Sequence, residues 1–142
     1  MKKSIPLLIV ALFPFFCFLQ MNALNSISHF MDNTNSLYLG SLYSAYIFGD
    51  ALWLIPAGLI LDKITPLKVV LASFLGYLTA LLLFSYFNNH DLLIFSRFLM
   101  GCFHAFSLLA CLKLISYNTS IQQRTLLISL AVTIALLGGL VA

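Results

Sequence analysis

Three side chains in this sequence carry chemistry and stand deep inside apolar runs: Asp50, Arg97 and His104. An Asp or Arg at the centre of a lone membrane helix costs about 2.5–3.5 kcal/mol on insertion scales, so such a residue faces a bundle interior or a wet cavity. A carboxylate and an imidazole can each carry a proton, and a guanidinium can bind an anionic group or pair with the carboxylate. Plainer roles stand beside these. Arg97 could snorkel to the headgroups, Asp50 could be only a structural partner for Arg97 or a helix amide, and His104 could be a hydrogen-bonded packing residue. No nucleophile elbow, HExxH pair or phosphate loop is present, which argues against an enzyme. No cofactor is implied, and His29 and His90 show no metal-ligand spacing.

Helical spacing groups these residues with others. At about 100° per residue, Arg97, Gly101, His104, Leu108 and Cys111 share one stripe, and Tyr43, Tyr46, Asp50, Trp53 and Ala57 share another. Asn22, Asn25, Ser26 and His29 lie on one face at the outer end of the first apolar run. Ser73, Tyr77 and Thr79 read as spread around the third run. The first, second and fourth runs are therefore expected to face a cavity, with the third a support against lipid. The candidate solute or ion pathway is Asn22, Asn25, Tyr46, Asp50, Trp53, Arg97 and His104. Tyr46 and Trp53 could equally be packing aromatics.

The elements that must position these groups are membrane helices. The composition is 62% hydrophobic and 8% charged, against about 25% charged in a soluble domain. Seven Lys or Arg and four Asp cannot cover a soluble surface, and no basic cluster suits a nucleic acid. A span takes about 20 apolar residues. The sequence supplies five runs, at about 5–28, 37–61, 67–87, 92–115 and 125–142, so the expected fold is an all-α polytopic membrane bundle. Pro66 suits the start of a helix. Cys17, Cys102 and Cys111 fall within these runs as buried thiols. Lys2, Lys3, Lys63, Lys68, Lys113 and Arg124 flank alternate ends, while the other connections hold none. By the positive-inside rule the N-terminus lies in the cytoplasm. An uncleaved first span is expected rather than a signal peptide, because no A-x-A site follows it.

The run from Tyr46 to Lys68 resembles the end of helix two and the helix 2–3 loop of the major facilitator superfamily. Gly58, Asp62, Lys63 and Lys68 match the loop pattern, with Thr65 where Gly is usual and Leu67 at a usual basic position. Arg97 and Gly101 resemble the helix-four pattern of Arg, three residues and Gly; Arg124 matches the basic residue that opens helix five. The resemblance implies the N-terminal portion, helices one to five, of a transporter with two six-helix bundles that hold solute between them. It also implies that Asp62 acts on a helix end of the C-terminal half, and Lys63 and Lys68 on acidic groups or lipid phosphate. The expected function is secondary transport of a small solute by alternating access across the inner membrane, driven by a proton or another gradient. The expected partners are the bilayer and a missing C-terminal bundle. A chain of this length is expected to be a truncated piece, inactive alone. The alternative is a small non-transporting subunit or interaction protein in which Asp50 and Arg97 only lock helices together.

Overall fold

Every described backbone segment longer than a turn is helical, as apolar runs in lipid must be, because a helix satisfies its own N–H and C=O groups. The computed structural model describes residues 12–23 and 36–141, without the side chains of 36 and 138–141. The helices are α1 (Leu12–Ala23), α2 (Ser36–Leu61), α3 (Pro66–Tyr86), α4 (His90–Asn118) and α5 (Ile121–Val141). Among the described residues, Leu37–Leu61, Pro66–Tyr86 and His90–Asn118 are long and apolar enough to cross a membrane; Leu12–Ala23 and Ile121–Leu137 are shorter apolar stretches.

The helices run past the apolar stretches where polar side chains finish them. Asn89 caps α4, its side chain accepting from the Asp91 N–H at 3.2 Å, so the helix starts at His90. At the far end, Asn118 and Thr119 donate back to the Leu114 and Ile115 carbonyls, which leaves only Thr119–Ser120 between α4 and α5. Pro66 occupies the first turn of α3, where its missing N–H costs nothing. Pro56 lies inside α2 without ending it.

The centre of the bundle is α4. It packs along α2 on one side and α3 on the other, and touches α5 only lightly. One apolar cluster joins Leu61, Val69, Val70, Ala110 and Cys111; a second joins Cys17, Tyr46, Tyr77, Ala80 and Met100. The distribution of polarity is inverted relative to a water-soluble domain. Arg97, His104, Ser96 and Ser107 are buried, while Leu71, Leu75, Leu82 and Leu59 are exposed. The third helix differs from the reading above in one respect. Ser73, Tyr77 and Ala80 form one buried stripe against the core, and of the three polar residues named there only Thr79 faces outward. A shift of four residues turns a helix by only about 40°, which is why Ser73 and Tyr77 coincide.

Candidate functional site

Glycines let α2 and α4 approach closely. A Cβ on Gly101 would collide with the Tyr46 carbonyl and lie 2.9 Å from the Asp50 nitrogen. A Cβ on Gly49 would collide with the Phe98 carbonyl. The two glycines thus let the α2 and α4 backbones touch reciprocally. That contact is what brings Asp50 and His104, on different helices, within reach of each other.

His104 Nδ1 lies 3.0 Å from Asp50 Oδ1. With the carboxylate ionised it can only accept, so the Nδ1–H donates. The pair is asymmetric in exposure: His104 is 1% exposed and Asp50 26%. Phe18 of α1 meets the imidazole edge-on at 4.9 Å, and Tyr46 lies tilted beside it at 5.8 Å. His104 Nε2 and the Tyr46 hydroxyl are buried without a hydrogen-bond partner among the described residues. The site is therefore a carboxylate open on one side and backed by an enclosed imidazole.

Arg97 belongs to a different arrangement, and the pairing with Asp50 considered above does not form. Its guanidinium lies 4.3 Å over the Phe84 ring of α3, and Nη1 donates to Gln20 Oε1 of α1 at 3.4 Å. The same Gln20 oxygen accepts from the Tyr77 hydroxyl at 2.7 Å. Arg97 is 2% exposed, so it does not snorkel to a headgroup. No carboxylate lies within ion-pair distance of it among the described residues, and its Nε is unpartnered. Gln20 and Tyr77 escaped the pathway residues chosen from sequence. Their signal was available: Phe13, Cys17 and Gln20 fall on one face of α1, and Tyr77 lies one turn from Ser73.

The remaining candidates fall as follows. Trp53 is half-buried and lies tilted against Phe106 with ring centroids 5.6 Å apart, tying α2 to α4. Asn22 donates to the Phe18 carbonyl of its own helix at 3.1 Å and joins neither polar centre. Asn25 lies outside the described residues.

A third polar centre closes the C-terminal end of α2. Lys113 of α4 donates to Asp62 Oδ1 at 2.8 Å and to the Leu61 carbonyl at 2.7 Å, where a cation also complements the α2 dipole. Asp62 thus has a partner within the chain, though most of its side chain stays exposed. Lys63 and Lys68 are exposed with no carboxylate partner among the described residues. Gly58 has open space where a Cβ would stand.

No curated protein matches the chain. The family model of the Major Facilitator Superfamily matches residues 8–142, a stretch that takes in the Asp50–His104 pair, the Arg97 cluster and the Gly58–Lys68 segment together. A bundle of apolar helices with its polar groups inside and this match along nearly its whole length has one reading: the chain is a multi-pass membrane protein and belongs to the major facilitator superfamily of transporters.

Proposed function

We propose that this chain forms one wall of a secondary transporter that moves a small solute across the cytoplasmic membrane by alternating access, working against a second bundle. The observation that carries the reading is the Asp50–His104 contact at 3.0 Å, with the carboxylate open and the imidazole enclosed. A proton arriving through an aqueous cavity meets the carboxylate first. Its uptake removes a charge that is costly to cover, so a second bundle closes more easily over the protonated site. The imidazole behind it holds the carboxylate in place through the cycle. Arg97 has no carboxylate partner among the described residues, and its positive charge in the bundle favours a solute that carries an anionic group. Gly58, Asp62, Lys63 and Lys68 would form the inward gate, with the N-terminus and the loop after α2 in the cytoplasm. The five helices would all span the bilayer.

The test is uptake into proteoliposomes by the full-length transporter containing this segment. Asp50→Asn should abolish accumulation driven by a proton gradient while leaving solute exchange measurable. Arg97→Ala should weaken uptake of an anionic solute more than that of a neutral one. Uptake unchanged in both variants would remove both residues from the mechanism. A chain found instead in a stable complex with another membrane protein, with no uptake, would favour a non-transporting subunit.

A further inference from the structure

We propose that the interior of the bundle holds a small inorganic anion, of the size of chloride, between the Arg97 Nε–H of α4 and the Tyr46 hydroxyl of α2. This rests on the proposed role of Arg97 in drawing an anion, and it narrows the class to one that an enclosed site can take.

Two donors in this core lack an acceptor. Arg97 Nε and the Tyr46 hydroxyl are buried without a hydrogen-bond partner among the described residues. The two side chains are 2% and 1% exposed, so bulk water does not serve them. Buried polar groups left unpaired are few in native proteins, and an ion or an ordered water is the usual missing partner. Arg97 Nε–H can only donate, since a guanidinium has no acceptor. Its neighbouring positions are taken: Phe84 lies under the guanidinium at 4.3 Å, and Gln20 Oε1 accepts from Nη1 at 3.4 Å. The contact that joins α2 to α4 also brings the two donors to one region. A Cβ on Gly101 would strike the Tyr46 carbonyl, and Arg97 stands one turn before Gly101 on the same face of α4. Tyr46 and Tyr77 share an apolar cluster, and the Tyr77 hydroxyl is tied to Arg97 through Gln20.

The charge decides between water and an anion. The chain has four acidic residues, all Asp. Asp50 is held by His104 and Asp62 by Lys113. Asp91 is exposed at the start of α4, about 9 Å along the axis from Arg97 at 1.5 Å per residue. Asp32 lies outside the described residues. A lone charge inside a bundle is costly. Water completes the hydrogen bonds and leaves that charge unbalanced, whereas a monoanion does both. Enclosure sets the size: an organic anion needs an opening that these two side chains do not offer, while a halide is little larger than a water molecule. His104 Nε2, also unpartnered, is an acceptor while Nδ1–H serves Asp50, so it takes no part in holding an anion.

Binding is read by chlorine NMR on the full-length transporter containing this segment, in nanodiscs, with gluconate as the balancing anion. No solute or proton gradient is present, so the result does not depend on whether Asp50 carries protons. Excess broadening of the chloride signal, displaced by bromide, is expected. Chloride affinity should fall about tenfold or more in Arg97→Gln and about threefold in Tyr46→Phe. At equal ionic strength chloride should raise the unfolding temperature above that in gluconate, and not do so in Arg97→Gln. Lys63→Gln, which removes an exposed ammonium group, should change neither readout. The absence of bromide-displaced broadening overturns the proposal and leaves water as the partner of both donors. Broadening that survives Arg97→Gln overturns it by placing the halide elsewhere. Unchanged affinity in Tyr46→Phe overturns the two-donor site and gives the hydroxyl to His104 Nε2. Broadening that appears only in Asp32→Asn overturns it as well, since Asp32 would then be the countercharge. Should Arg97→Gln fail to fold by circular dichroism, Tyr46→Phe decides, because it removes one oxygen and keeps the ring in its cluster.

Discussion

Asp50 and Arg97 carry opposite charges in one bundle, yet each is stabilised by a different kind of neighbour. Asp50 takes a hydrogen bond from an imidazole, while Arg97 rests on an aromatic face and an amide oxygen. Because Gln20 serves both Tyr77 and Arg97, Gln20→Leu should orphan a hydroxyl and a guanidinium together. The expected loss is about 1–3 kcal/mol, measured by steric trapping in bicelles. His104→Leu should cost a similar amount, about 1–3 kcal/mol, by leaving the Asp50 carboxylate without its donor. Asp50→Asn should cost less, since an amide oxygen can still accept from Nδ1–H. In a double-mutant cycle the His104→Leu and Asp50→Asn effects should be less than additive. Additive losses would show that the two side chains do not interact. The three chemical residues were legible as types, because an ionisable group within an apolar run announces itself. Which partner each takes was not, because that depends on how far apart two helices lie and how each is rotated.

The glycines settle the helix spacing. Gly101→Ala should push α2 from α4 and destabilise the bundle by about 1–3 kcal/mol, because backbone atoms rather than a flexible side chain stand in the way. Gly40→Ala is the contrasting case. No described atom lies within 4 Å of a Cβ there, so the change should be neutral or stabilise by up to about 1 kcal/mol through helix propensity. Equal behaviour of the two variants in thermal unfolding would refute the close crossing. The helices themselves could be read from length and apolarity. Their packed faces were harder, since lipid outside and side chains inside are both apolar and hydrophobicity alone does not mark the inward face. Small and polar residues mark it better, as Ser73, Ser96, Gly101 and Ser107 show; all four are buried. The α3 stripe was missed because Thr79, which faces out, was grouped with Ser73 and Tyr77, which face in.

At the scale of the molecule, the described lysines collect at one end of the bundle. Lys63, Lys68 and Lys113 all lie where α2 ends, α3 begins and α4 approaches its last turns. A cysteine at position 63 should therefore react with a membrane-impermeant maleimide only from the cytoplasmic side, and one at position 89 only from the opposite side. Cys17, Cys102 and Cys111 are buried and should contribute little background. Labelling of both positions from one side would rule out the proposed orientation. Lys113→Met should release Asp62 and the last carbonyl of α2 together. Faster hydrogen exchange at Ile64 and Lys63 is the expected result, with α3 and its core contacts unchanged. The family was legible from the Gly58–Lys68 pattern and the Arg97–Gly101 spacing. Lys113 as the partner of Asp62 was not, because the two are far apart in sequence and meet only once α4 is laid along α2.

The empty flank beside Gly58 has a consequence of its own. A Cβ there meets no described atom within 4 Å, so Gly58→Ala should leave helicity and melting behaviour intact in isolation. The same methyl group would hinder any neighbouring helix that slides past that flank during a transport stroke, making the defect silent in a thermal scan and plain in a flux assay.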